Sequence, residues 1–421
     1  MVDSSPNLSG PAYLRLVVSG AAIGIPAALL AAMFLALVYE LEHLLWDRLP
    51  DALGHASPPW YLVIGLPVVG ACVVVVARVF LPGDGGSSPL EGLGHGAVPV
   101  LFGPGIALAA LGTLSFGAVL GPEAPLIALG SIVGMLVKLF VRVGPREEAV
   151  LGTAGSFSAI SALFGGPVVA GLMMVESSVG LGASLLPVLI PGFVAAAVGY
   201  VIFIGFGTWG GLHAQSLAVP NLPAYNGTHI YDLLIGIAVG ITAAFLLTIV
   251  RRGACRVAGS RLSLPVLLIA GGLVVGLVAQ IAGWLGADTQ DVLFSGQSGV
   301  PALAAADSTK IVLILLVAKA IGYAVSLGCG FRGGPVFPAL FLGIALAVLT
   351  VEWFDISPTL AVAVGAAGGM AAGTRLIVTS TLFAGLLVGK TGIDAVPAAV
   401  LAACAAWLTM QFIDRRGSTS P

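Results

Sequence analysis

The residue whose type and setting could do chemistry is Glu123, a carboxylate inside an apolar run that Gly and Pro interrupt. It belongs to a ten-residue pattern, Gly-Pro-x-x-Pro-x-x-x-x-Gly, that occurs twice. The first copy runs from Gly121 to Gly130 (GPEAPLIALG) and the second from Gly334 to Gly343 (GPVFPALFLG), about half the chain further on. An acid within hydrocarbon is costly, and by default it marks an ion or proton path. The competing reading, an acid that only caps its own helix, stays open here.

The chemistry of the pattern follows from its residue types. Gly121 and Gly334 permit backbone angles that end a helix. Pro122 and Pro335 are expected to keep the next step extended, and they donate no hydrogen bond. Pro125 and Pro338 fit the first turn of a new helix, where a missing N–H costs nothing. New helices are therefore expected from Pro125 to about residue 140 and from Pro338 to about residue 349. Their free N–H groups and positive dipole ends face whatever lies between the halves. Two such ends converging in a membrane make an anion site without a fixed cation. The candidate donors are the N–H groups of Glu123, Ala124, Val336 and Phe337. The Glu123 carboxylate can itself fill the anion's place and open it when protonated or displaced.

Composition says what solvent surrounds these breaks. The chain of 421 residues is 58% hydrophobic and only 9% charged, with a mean hydropathy of +1.09. A soluble domain carries about 25% charged residues. Apolar stretches at 13–39, 61–80, 231–250 and 264–286 approach or exceed the ~20 residues that cross a bilayer as a helix. Others, at 99–120, 125–143, 150–175, 311–329, 336–351 and 376–389, are interrupted sooner. The pattern reads as an all-α polytopic membrane protein of broken and tilted helices. Its first span is retained, and no soluble domain is expected.

The repeat extends past the central phrase. Ala110 to Gly117 resembles Ala320 to Gly328, and the Ala170-Gly171 to Glu176 spacing returns at Ala384-Gly385 to Lys390. Repeat one is set at about 13–206 and repeat two at about 231–413, within one transmembrane domain. Arginine and lysine crowd the connections at Lys138, Arg142 and Arg146 and at Arg251, Arg252, Arg256 and Arg261, and they return at Arg415 and Arg416. The connections at 207–230 and 286–309 have none, and the second holds Asp288, Asp291 and Asp307. By the positive-inside rule the basic connections and both termini face the cytoplasm, across a plasma (inner) membrane. Trp46, Trp60, Trp209, Trp284 and Trp353 fall near segment ends, as an interfacial belt would have it. The four cysteines are scattered. Neither a disulfide framework, a metal nor a cofactor is implied, and no basic run suggests nucleic acid.

In these motifs the sequence resembles the CLC family of chloride channels and proton-coupled chloride transporters, over about residues 13–413. GPEAP at 121–125 is similar to the family's Gly-(Arg/Lys)-Glu-Gly-Pro, which places Glu123 at its gating glutamate. GGPVFP at 333–338 is similar to Gly-x-Phe-x-Pro, whose amides hold chloride. GGSSP at 85–89 is a weaker counterpart of Gly-Ser-Gly-Ile-Pro, with Ser87 or Ser88 at the chloride-binding serine; alignment on Pro89 puts Gly86 there. In detail it is closest to a short bacterial ion-transport branch. The resemblance implies an inverted repeat and a homodimer with one pathway per subunit, its interface near 160–205 and 376–412. Chloride is the expected cargo, with fluoride or nitrate open, by a voltage- or pH-gated channel or a proton-coupled antiporter.

The departures bear on mechanism. Pro122 replaces the basic residue before the gating glutamate, and Pro335 falls where the family has an amide donor. Glu176 takes the place of the family's commoner glutamate in the next helix, and Ser177 takes that of its internal proton glutamate. A serine cannot relay a proton as a carboxylate does. The chain stops soon after Asp414, and no tyrosine follows Tyr323; the family's last helix and its chloride-binding tyrosine are expected to lack a counterpart. Lys319, Arg332, Arg375 and Lys390 are the remaining charges in apolar surroundings. Arg332 either draws anions to the mouth or snorkels, and for Arg375 snorkelling is the expectation. Glu176 and Lys390 either pair across the repeats or stand apart as helix-end charges. Gly205 to Gly210 matches GxGxxG without a βαβ unit. Gly296-Gln-Ser-Gly299 suggests an intramembrane serine nucleophile, but all five histidines precede it, so an enzyme is the remote alternative.

Overall fold

A computed structural model describes residues 10–94, 97–139, 144–177, 186–209, 218–306 and 308–418. Arg142, Asp307 and part of the 207–230 connection lie outside the described residues, as does part of the expected interface near 160–205. The first half carries α1 (Gly10–His43), α2 (Trp60–Phe80), α3 (Gly103–Leu114), α4 (Glu123–Met135), α5 (Pro145–Leu163), α6 (Pro167–Ser177) and α7 (Leu186–Trp209). The second half repeats that order as α8 (Ile230–Ala258), α9 (Leu264–Trp284), α10 (Thr309–Cys329), α11 (Val336–Phe354), α12 (Pro358–Thr374), α13 (Val378–Val388) and α14 (Val396–Ser418). Among the described residues seven helical segments are long and apolar enough to cross a membrane, while the helices at both breaks are among the shorter ones.

The packing also repeats. In the first half α4 lies on α5, and α7 lies on α1 and α5. In the second α11 lies on α12, and α14 lies on α8 and α12. Between the halves α2 packs on its counterpart α9. Small residues set these distances, because lipid gives no hydrophobic drive for helices to associate. The last glycine of each ten-residue phrase is such a contact. A Cβ on Gly130 would stand 2.5 Å from the Gly155 carbonyl oxygen, and one on Gly343 would stand 2.1 Å from that of Gly365. Gly20 and Gly24 do the same for α1, facing the carbonyls of Pro191 and Ala195 on α7.

Several expectations change in detail. Pro122 and Pro335 are not extended: at φ −80°, ψ −1° and φ −90°, ψ −6° they already cap the new helices. Their carbonyls accept from Leu126 N–H at 3.0 Å and Ala339 N–H at 3.4 Å. The helices thus begin at Glu123 and Val336, two residues before Pro125 and Pro338, which occupy the tolerant first turn. The 311–329 stretch is uninterrupted as α10, because Gly322 and Gly328 serve close packing and the helix ends only at Gly330, with φ 93°. The 150–175 stretch is two helices, parted where Gly165 and Gly166 take positive φ before Pro167. Trp46 is buried, not interfacial. Its indole N–H donates to the Ser115 carbonyl at 3.0 Å and its ring meets Phe294 edge-on. Trp60, Trp284 and Trp353 are exposed.

Candidate functional site

The two phrases meet. Gly121 N–H donates to the Gly334 carbonyl at 2.8 Å, and Gly334 N–H donates back to Gly121 at 2.6 Å. Reciprocal antiparallel pairing of one residue with its own repeat counterpart places a local two-fold axis between them. A Cβ at either position would stand within 2.2 Å of a Glu123 carboxylate oxygen, so a side chain there would push the acid from its present place.

Glu123 is fully buried at the first position of α4. Its carboxylate reaches across the bridge to α11, where Oε1 accepts the Phe337 N–H at 2.9 Å. The Val336 amide also acts on it, as does Glu123's own. Oε2 is enclosed with no hydrogen-bond partner. Two aromatic rings hold Phe337: it stacks on Phe164, just past the end of α5, with centroids 5.7 Å apart, and Phe383 of α13 closes the triangle. Thus one repeat's acid occupies the free N–H end of the other repeat's helix. The Ala124 amide belongs to the same first turn, for which no contact with the carboxylate is seen.

A cavity of about 330 Å³ comes as near as Pro335, the residue before the first turn of α11. Tyr323 and Pro335 are part of its wall, and the Tyr323 hydroxyl donates to the Pro335 carbonyl at 3.1 Å. Its walls include Glu176, Ser177, Arg251 and Arg375. Glu176 is not paired with Lys390. Its two oxygens accept the N–H groups of Ile377, Val378 and Thr379 at 3.1, 2.8 and 2.7 Å, plus the Thr379 hydroxyl. The acid that ends α6 therefore caps α13, the counterpart of α6. Arg375 does more than snorkel, because it pairs with Asp414 at 2.7 Å and lines the cavity.

Ser87 is exposed and Ser88 partly so, and the cavity wall begins only at Pro89. Ahead of them Gly83, Asp84, Gly85 and Gly86 all have positive φ, a left-handed turn in which Asp84 is the one non-glycine. Its carboxylate bridges Arg78 and Arg332, and the two guanidiniums outweigh partial burial to hold that acid below its ordinary range. Lys319 is also buried, donating to the carbonyls of Asp291 and Leu293 at 2.9 and 2.7 Å over the Phe341 ring. Tyr323, Asp84 and Arg78 were not singled out from sequence. The signal that could have pointed to Asp84 is the Gly-Asp-Gly-Gly run at 83–86.

Comparison with known proteins identifies the family and the fold. A family model described as "Voltage gated chloride channel" matches residues 88–410. The "Putative ion-transport protein YfeO" of Escherichia fergusonii is 32% identical over 357 residues, covering 80% of this chain and 79% of that one. A slow cyanobacterial Cl−/H+ antiporter superposes with a TM-score of 0.75 at 16% identity, over 96% of this chain and 99% of its own. A CLC-type fluoride/proton antiporter does so at 0.75 and 18%, over 96% and 98%. An all-α CLC fold, two facing helix breaks and a matched family sequence converge, and the chain belongs to the voltage-gated chloride channel (CLC) family of membrane anion-transport proteins.

Proposed function

We propose that the protein passes small inorganic anions, chloride foremost, along a channel-like path between α4 and α11, with Glu123 as its gate. The observation that carries the reading is the Glu123 carboxylate seated on the Phe337 amide at the N-terminus of α11. A carboxylate is an anion, and the seat it takes is one a permeant anion would take. Protonating it or drawing it aside frees the seat. Because the gate is a charge inside the membrane, both pH and voltage bias it. The Val336 and Phe337 amides are then the anion's donors, with Ala124 across the bridge. Ser87 and Ser88 serve only if the 83–88 turn rearranges. Family membership makes this a transporter and not an enzyme.

The second reading is a proton-coupled chloride or fluoride antiporter, favoured by likeness to structures of those activities. Ser177 stands against it, having no titratable group with which to feed protons to Glu123. The proposal includes an inverted-repeat homodimer in the plasma membrane with both termini cytoplasmic. On this orientation the cavity opens to the cytoplasm, a reading supported by Arg251 and Arg375 in its wall.

The deciding experiment is the reversal potential of the reconstituted chain under opposed chloride and pH gradients. The expected value is the chloride Nernst potential, unmoved by pH. A value displaced by the proton gradient would establish coupling. Absence of flux for chloride, fluoride and nitrate alike would overturn the transport assignment.

A further inference from the structure

Arg78 lies in the last turn of α2, and Arg332 lies two residues before Gly334. Their side chains are only 11% and 6% exposed, yet they share one carboxylate, that of Asp84, which is 57% exposed. Arg78 grips it with both prongs, Nε to Oδ1 at 2.8 Å and Nη2 to Oδ2 at 2.7 Å. Arg332 Nη2 bonds the same Oδ2, and its Nε donates to the Asp84 carbonyl at 3.0 Å. The remaining tethers are neutral: Arg78 Nη1 donates to the Gly330 carbonyl at 2.8 Å, and the Arg332 amide to the Thr113 hydroxyl at 3.1 Å. Two nearly buried cations against one acid leave a net positive charge beside the second helix break. Glu91 is close enough to act on Arg332 but makes no ion pair with it.

A buried charge without its counter-charge is costly. A guanidinium fork matches an oxyanion, and its charge and N–H donors attract a halide as well. The solvent-facing partner is the acid and the sheltered partners are the arginines, so an anion arriving from outside meets the replaceable group first. The left-handed turn at 83–86 holds that acid over the pair. We propose that Arg78 and Arg332 form a second anion-binding site beside the Gly334 break, covered by the Asp84 carboxylate, which an incoming inorganic anion displaces. This rests on the anion-transport reading and extends it. The site collects anions before they reach the α4–α11 seat, much as Glu123 covers that seat itself.

The test exploits sign. Asp84→Asn and Arg332→Gln both break the clasp. If the clasp only holds the loop, both variants shift chloride binding the same way. If it is an anion site, the shifts oppose. Chloride binding to the purified full chain is measured by titration calorimetry, in a Glu123→Ala background where the central seat is open in every protein. Asp84→Asn is expected to tighten binding on the order of fivefold and add one chloride per chain, and Arg332→Gln to weaken it by a similar factor. Should Arg332→Gln fail to fold, Arg78→Gln carries the same expectation. Binding unchanged or weakened in Asp84→Asn overturns the site. Flux is read separately in liposomes, so a chain that binds as expected but passes no anion would sink the transport reading and leave this site standing.

Discussion

Replacing Glu123 with glutamine removes one charge and keeps the shape of the gate. The carboxylate oxygen lies 2.9 Å from the Phe337 nitrogen at the start of α11. With about half an elementary charge at a helix N-terminus and an effective dielectric of about 20, a full negative charge at that distance is held by about 3 kcal/mol. A neutral amide keeps a hydrogen bond of only about 1 kcal/mol. An entering chloride then competes against roughly 2 kcal/mol less, so half-saturating chloride should fall about 30-fold. The pH response should vanish with it. In the native chain flux is expected to rise as pH falls, because protonation discharges the carboxylate and weakens its hold on α11. Glutamine has no proton to gain, so Glu123→Gln should sit at the fast limit throughout. Chloride efflux from liposomes, measured over a pH series and a chloride series, reads both effects. The reasoning is refuted if the variant keeps native flux, chloride dependence and pH response while losing only thermal stability. That outcome would make Glu123 a helix cap, for which a loss of about 0.5–2 kcal/mol is the usual signature.

Glu176→Ala strips acceptors from three backbone N–H groups at the start of α13. It should lower stability by about 2 kcal/mol, seen as an earlier unfolding transition in detergent, with the reversal potential unmoved. Gly343→Ala puts a methyl 2.1 Å from the Gly365 carbonyl oxygen. It should cost about 1–3 kcal/mol or more and reduce flux by pushing α11, and with it Phe337, off its position. Gly65→Ala, inside α2 with nothing within 4 Å, is the control: it should leave flux unchanged and stability unchanged or raised by up to about 1 kcal/mol.

What sequence alone revealed divides along a physical line. Helix breaks were visible because glycine and proline act locally, whatever surrounds them. Hence 121–125 and 334–338 were placed as starts of new helices, while their pairing at Gly121 and Gly334 joins distant segments and appears only in the structure. Glycines that serve packing look the same on paper as glycines that break a helix. That is why α10 was expected to stop short, though Gly328 merely admits the Ala254 carbonyl. Trp46 was misassigned for a related reason: proximity to a segment end says nothing about whether a partner such as Ser115 waits inside. The partners of Glu176, Arg332 and Lys319 were beyond reach, since each is set by a segment remote in sequence. Asp84 lies more than two hundred residues from Arg332, and no local rule joins them.

The backbone at the centre is nearly two-fold symmetric, but its charge is not, and that asymmetry is what makes a gate. Glu123 opens α4, while its counterpart at the start of α11 is Val336. Had both positions carried carboxylates, two acids would crowd one bridge whose glycines already leave no room for a methyl beside the first. Like charges so placed cannot both ionise, so one would stay protonated and the pair would titrate as a unit. A single acid avoids this. It faces two positive helix ends and belongs covalently to only one of them, so it can let go of the other. Val336 and Phe337 then offer α11's amides to whatever anion arrives, with no side chain of their own to compete. On this argument Val336→Glu should weaken chloride binding more than any other single change at the two phrases, because it installs a second occupant in the one place the first has to leave.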